Sequence, residues 1–290
     1  MSLATRESLE KSDINYTCEY DKTLLLPISR EEGREGLDLS FIQSQLSQYS
    51  CDIWNAYELS WLKPNGIPQV AAGVIYFPAY SPFLIDPRSL KLYFNSFNMS
   101  YIQSSDDFKR IVENDLSEAV QAPVSVKLYN MLDSKLKQIK PYAEIGQIVL
   151  EDAVSNSCFD DPIEYKGVNR NYLKDFLVTQ EHTHVEETLC THLLKSNCPV
   201  TGQPDWATLF ISYTGQQINR KNLLYYILSY RTQNEYHEQC IEQIYSDIYK
   251  YCQLSLLTVY AKYTRRGGLD INPFRSNWEP IKEISREWRQ

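Results

Sequence analysis

Apolar and polar positions along this chain follow two alternating rhythms, and each rhythm occurs in both halves. From Cys51 to Trp61 and from Gln69 to Phe77 residues alternate or run β-branched and aromatic, with Lys63-Pro64-Asn65-Gly66 between them. That is the pattern of an antiparallel hairpin closed by a turn. The period then lengthens. Leu90, Tyr93, Phe94 and Phe97 stand at i, i+3, i+4 and i+7, which predicts a helix over Ser89–Tyr101. Phe108, Ile111, Val112 and Leu116 mark a second helix over Ser105–Gln121, opened by Ser105-Asp106-Asp107. Val124–Leu132 reads as a strand. The later half offers a strand at Ala207–Tyr213, a turn at Gly215, helices over Asn219–Arg231 and Glu235–Cys252, and a strand over Ser255–Thr264. Strand, helix, helix, strand therefore recurs. Two such units, each laying paired helices on one face of an antiparallel sheet, make an α+β fold. Residues 133–176, lysine-rich over Lys135–Lys140 and turn-rich over Ser155–Pro162, are the expected connection. The resulting modules are 25–145 and 146–290. Residues 1–24 are polar, lack a period, and are expected to form a loosely held arm whose loss matters little.

Composition narrows the function. The 290 residues suffice for two ordinary domains with sizeable cores. A net charge of −8 leaves no overall basic field to hold a polyanion, so nucleic acid is not an expected partner. Seven cysteines, at 18, 51, 158, 190, 198, 240 and 252, show no paired spacing, which points to a reducing compartment rather than a disulfide framework. No apolar run approaches the roughly 18 residues of a membrane span, and no signal-like start is present. A cytoplasmic protein without a membrane partner is expected.

The segment Lys195–Trp206 concentrates the candidate chemistry. Pro199 and Pro204 argue that it is neither an ordinary helix nor a central strand, and it sets Cys198 seven positions before Asp205. A thiol on an irregular loop with an acid nearby suits a nucleophile and its proton donor. The plainer reading of Cys198 is a small buried apolar side chain, the usual fate of a free cysteine.

Three segments decide between these readings. Ser196-Asn197-Cys198-Pro199-Val200-Thr201-Gly202-Gln203-Pro204-Asp205-Trp206, Tyr236-His237-Glu238-Gln239-Cys240, and Tyr263-Thr264-Arg265-Arg266-Gly267-Gly268-Leu269-Asp270-Ile271-Asn272-Pro273 follow one another in order. Together they resemble the active-site motifs of the NADPH-dependent 7-cyano-7-deazaguanine reductases, nitrile reductases of queuosine biosynthesis. The resemblance runs from about Leu25 to Asn277 and has the length of the two-module form. It implies tandem tunnelling-fold modules whose sheets form a barrel in an oligomer, here a homodimer, with ligands at module interfaces. It implies Cys198 as the nucleophile that forms a thioimide with the nitrile, and Asp205 as the acid that protonates its nitrogen. Leu84, Ile85, Asp86, His237 and Glu238 would bind the deazapurine; Pro87, Arg88, Arg266 and Gly267 would bind NADPH. No metal is called for. A histidine and glutamate in a first helical turn suit the polar edge of a purine-like ring, although the helix dipole alone would also account for Glu238. His182, His184 and His192 match no role.

The chain departs from the family chiefly at one place. The marker Glu-Ser-Lys-Ser-x-Lys-Leu-Tyr-x-x-Ser-Phe is represented by Asp86-Pro87-Arg88-Ser89-Leu90-Lys91-Leu92-Tyr93-Phe94-Asn95-Ser96-Phe97, with its first three positions changed. Asp86 is one methylene shorter than Glu, Pro87 lacks an N–H, and Arg88 is a cation of different shape from Lys. Phe is also replaced by Tyr236 in the second motif. Two alternatives remain open. A zinc enzyme like the related GTP cyclohydrolases would use Cys190, His192, Cys198, His237 and Cys240, but the chain has no His-Glu-x-x-His and no Cys-x-x-Cys. A purine-binding protein without turnover would need only the fold.

Overall fold

The expected first hairpin forms, as strands Cys51–Leu62 (β1) and Pro68–Pro78 (β2). The computed structural model describes residues 17–35, 37, 49–129, 147–154, 166–174, 183–252, 254–281, 286, 287, 289 and 290. Ser125–Tyr129 (β3) pairs with β2, and residues 130–132 of the expected strand lie outside the described residues. Ile148–Val149 (β4), His184–Asn197 (β5), Pro204–Gln216 (β6), Leu256–Tyr263 (β7) and Leu269–Ser276 (β8) complete one sheet in the order β3-β2-β1-β8-β7-β6-β5-β4. All neighbours are antiparallel except β4 and β5. The architecture is thus mixed α+β.

Three of these strands were not anticipated: β4, which falls in the stretch read as the connection, and β5 and β8. β5 carries Glu186, Glu187, His192 and Lys195, and β8 carries Asp270, Asn272 and Arg275, so charged and polar residues interrupt the apolar pattern of both. Yet every residue of β8 is buried, because it joins the two halves by pairing with β1 on one side and β7 on the other. The turn expected at Gly215 is also absent. Gly215 lies inside β6, where an added Cβ would come within 2.8 Å of Leu254 Cδ2, so the glycine serves close packing.

The helices fall where periodicity places them, with shifted ends. Pro87–Ser96 (α1) and Ser105–Val120 (α2) cover the first half; Arg220–Leu228 (α3) and His237–Cys252 (α4) cover the second. Each half has its own core. Trp61 stacks on Phe108 with centroids 4.4 Å apart, and Phe97 meets Phe108 edge-on, locking α1, α2 and β1 together. In the second half α3 and α4 bury Tyr226, Ile227, Ile241 and Ile244 against Leu209 and Ile211 of β6. Residues 17–24 of the expected arm are docked on the first core. The Tyr20 hydroxyl donates to Asp115 at 2.7 Å, and its ring lies 4.9 Å from Phe97. Residues 1–16 lie outside the described residues.

Between the cores runs a buried ionic seam. Arg275 of β8 donates to Asp52 of β1 at 2.7 Å and to Glu242 of α4 at 3.2 Å; Arg30 also pairs with Asp52 and Arg34 with Glu242. Arg275 and Arg30 hold the Asp52 carboxyl below its ordinary range in spite of burial. Loss of one partner would strand a buried charge, at a cost of about 3–5 kcal/mol. The candidate site opens beside this seam.

Candidate active site

The segment carrying Cys198 is less irregular than its prolines suggest. β5 continues to Asn197 and β6 begins at Pro204, so the loop is confined to residues 198–203. Pro199 sits in that loop, and Pro204 is the first residue of its strand, where a missing N–H is tolerated. Inside the loop Cys198 N donates to Gln203 O at 2.8 Å and Gly202 N to Cys198 O at 2.9 Å. At its base Asn197 N donates to Gln233 O and Glu235 N to Asn197 O, which draws the approach to α4 alongside.

Cys198 is half-buried, and burial raises its thiol. Hydrogen bonds from the Thr201 hydroxyl, the Thr201 and Val200 amides and Arg266 outweigh that effect, leaving the thiol below its ordinary value. The nucleophilic thiolate is therefore favoured. Asp205 projects from β6 with the parity of Ala207 and Leu209, which places it on the helix-bearing face. It is 3% exposed. One of its oxygens lies 2.8 Å from Arg266 Nη2, the other 3.2 Å from His237 Nε2. Arg266 Nη1 also donates to Gln203 Oε1 at 2.8 Å.

His237 opens α4. Its ring stacks on Tyr263 with centroids 3.9 Å apart and planes 5° from parallel. The Asp205 contact is not angled as a hydrogen bond, so both buried ring nitrogens are left for another partner. Glu238 is 3% exposed; burial and the Asp52 charge push its carboxyl up to about 7, opposed by His237 and Arg30. Glu235, two residues before α4, lines the cleft. One of its oxygens accepts from Gln233 Nε2 at 2.6 Å, the other has no hydrogen bond, and burial raises its carboxyl.

The opposite wall comes from the first half. Asp86 caps α1, its Oδ1 accepting from Ser89 N at 2.8 Å, and Pro87 occupies the first turn, where the absent N–H is no loss. Asp86 N donates to Leu26 O, and Leu26 N to Ser89 Oγ. The altered marker thus forms a well-capped helix start. Arg88 has no ion-pair partner among the described residues, and Lys91 stands 3.8 Å from Glu58. Leu84 and Ile85 are buried in a short ribbon with Ile28 and Pro27 and are not among the cleft lining; they brace Asp86 from behind.

Between the walls is a cleft of about 550 Å³. It gathers Cys198, Asp205, His237, Glu238, Asp86, Pro87, Arg88, Arg266 and Gly267, every expected site residue except Leu84 and Ile85. Leu26, Ile28, Leu269 and Ile271 supply an apolar surface suited to a flat ring. The turn at Gly267 and Gly268 has φ of +58° and +81°, and a Cβ on Gly268 would lie 2.4 Å from the Glu58 carboxyl carbon, so the turn takes no side chain there. Thr201, Gln203 and Tyr263 were not singled out from sequence, although all three stand inside the quoted motifs. Among the described residues no group of three or more His, Cys, Asp or Glu is arranged to hold a metal. Cys190 belongs to an apolar cluster with Ile53, Phe210 and Tyr260. No helix among them is long and apolar enough to cross a membrane.

A family described as nitrile reductase, 7-cyano-7-deazaguanine-reductase N-term, matches residues 16–128, and one described as QueF-like protein matches residues 204–282. An NADPH-dependent 7-cyano-7-deazaguanine reductase of Hydrogenovibrio crunogenus is 44% identical over 276 residues, covering 95% of this chain and 94% of that one. Among solved structures, the apo form of an archaeosine synthase QueF-Like is 15% identical with a TM-score of 0.30, covering 35% of this chain and 100% of that one. That likeness is too slight to bear on the fold.

Proposed function

The chain belongs to the 7-cyano-7-deazaguanine nitrile reductase family, and from that premise we propose a role for each wall of its cleft. The reaction is the NADPH-dependent reduction of the nitrile of 7-cyano-7-deazaguanine to the aminomethyl group, a step of queuosine biosynthesis. A nitrile carbon is a weak electrophile, and adding sulfur to it makes a better hydride acceptor. Cys198 thiolate attacks that carbon while Asp205 delivers a proton to the nitrogen, giving a thioimide. After one hydride and one proton are added, sulfur leaves as thiolate and an imine remains; a second hydride and proton give the primary amine. NADPH supplies the two hydrides.

The protein's own groups supply the rest. Thr201, two loop amides and Arg266 keep sulfur in its reactive form. His237, fixed by Tyr263 and with free ring nitrogens, is placed to bind the base or pass protons; Glu238, partly protonated near neutrality, can both donate to and accept from a purine edge. Asp86 presents its second oxygen to the same base. The residues fit a dinucleotide phosphate: Arg88, Arg266, the side-chain-free turn at Gly267 and the start of α1 with Pro87 share one rim. We further assign 25–145 and 146–290 as tandem tunnelling-fold modules, in a cytoplasmic homodimer that takes the free base rather than nucleic acid.

The observation that carries this reading is a lowered thiol sharing one cleft with Asp205, His237 and Glu238. Purified protein incubated with the nitrile base and no NADPH should gain the mass of one ligand, mapped to Cys198. Adding NADPH should then release the amine with two NADPH consumed. An equal mass gain by Cys198→Ala would overturn the assignment.

A further inference from the structure

Arg266 is bound to the capture machinery rather than pointing freely toward a cofactor. Its guanidinium grips the far end of the Cys198–Asp205 segment, with Nη2 on Asp205 at 2.8 Å and Nη1 on Gln203 at 2.8 Å. Gln203 in turn accepts the Cys198 amide through its backbone oxygen. One cation therefore ties the nucleophile's loop, the proton donor's strand and the β7–β8 turn together. We propose that Arg266 is a positioning residue for nitrile capture itself, acting before NADPH is needed, and that phosphate binding competes for the same guanidinium.

The inference rests on the nitrile reductase reading but separates two steps within it. In the cofactor-free enzyme Arg266 fixes Asp205 and lends a hydrogen bond to the Cys198 sulfur. A phosphate that draws the guanidinium away frees one Asp205 oxygen for the proton that accompanies hydride, once the proton used in sulfur addition has been delivered. Besides Asp205, the ionisable side chains lining the cleft are of both kinds. Glu235, Glu238 and Asp86 line the cleft as acids; Arg88, Lys91 and His237 line it as bases. Among the contributions that lower the Cys198 thiol is the hydrogen bond from Arg266.

The test reads the sulfur directly. The rate at which iodoacetamide alkylates Cys198, followed by peptide mass spectrometry from about pH 6 to 9, reports thiolate whether or not the nitrile base is the substrate. Arg266→Ala should move the profile to higher pH and slow adduct formation with the nitrile base, without NADPH, by about tenfold. Arg266→Lys should recover part of that loss, and saturating NADP+ should slow capture in wild type but not in Arg266→Ala. Gln203→Ala, which removes one acceptor of Arg266 but keeps the Asp205–Arg266 pair, should slow capture severalfold and guards against misfolding of the arginine variant. Wild-type alkylation and capture in Arg266→Ala, with only the NADPH KM raised, would overturn the proposal. A wild type that alkylates normally yet never captures the nitrile would instead refute the substrate assignment.

Discussion

The two walls of the cleft are built on opposite plans. On the second-half wall the groups are tied to one another: Asn197, at the base of the Cys198 loop, to Gln233 and Glu235, Arg266 to Asp205 and Gln203, and His237 to Tyr263. On the first-half wall Asp86 is tied mainly to its own helix, and Arg88 has no ion-pair partner among the described residues. The family motifs are kept on the first of these apart from Tyr236, and on the second three consecutive positions, Asp86, Pro87 and Arg88, are altered. Where groups act jointly on one atom, a change in any of them misplaces the others. Where a residue caps a helix or holds a phosphate by charge, another of similar kind will serve.

Substitutions sharpen this contrast. The largest effect is expected at Asp205→Asn, which keeps the shape but removes the proton; capture and turnover should both fall about 10²- to 10⁴-fold, as followed by adduct mass and NADPH absorbance. Normal capture in that variant would erase the distinction between the walls.

Glu238 tests the seam beside them. Its folded-state carboxyl titrates near 7 against an ordinary 4.5, so its stabilising contribution is fully present below about pH 4.5 and lost as pH rises through about 7. Glu238→Gln should remove that decline, worth about 2–3 kcal/mol across the window, in urea melts compared at several pH values. Parallel pH curves for the two proteins would show that Glu238 titrates normally.

On the open wall Arg88→Ala should weaken NADPH binding about tenfold to a hundredfold in calorimetric titration while adduct formation stays near wild type. A loss of capture equal to the loss of NADPH affinity would show that this wall also acts on the reacting atoms. Asp86→Ala should be the mildest, costing about 1 kcal/mol of stability through the lost cap, with nitrile affinity reduced less than tenfold. Asp86→Glu should lose a similar amount of stability, because the longer side chain caps poorly while Pro87 still fixes the helix start. A gain in nitrile affinity of more than tenfold from that reversion would mean that the short acid limits base recognition.

Much of this was legible in the chain because its grammar is local. Apolar spacing located α1, α2 and the β1–β2 hairpin within a few residues, and the motifs brought Cys198, Asp205, His237 and Arg266 to one cleft. What escaped was written in pairs distant along the chain. Arg275 and Asp270 look like surface residues until Asp52, Glu242, Asn55 and Tyr57 are brought against them, and so β8 could not be seen as a strand. Asp86 as a cap was hidden differently, since only the start of α1 at Pro87 gives that carboxylate a local duty.

The position of β8 has a consequence for how the molecule is made. β1 leaves the ribosome early, but the strand that seals its open edge is Leu269–Ser276, near the far end of the chain. At about 5–20 residues per second the wait is roughly 10–40 s. Throughout it the nascent hairpin shows a long unpaired edge, of the sort other chains can join, and Asp52 lacks Arg275, the wholly buried partner that it will meet at 2.7 Å. No catalytically complete cleft exists during that interval, since Leu269 and Ile271 line it from the sealing strand itself. Shortened chains that stop before β8 are therefore expected to be sticky as well as inactive, and the cell's chaperones to meet this protein chiefly as an unsealed half-sheet.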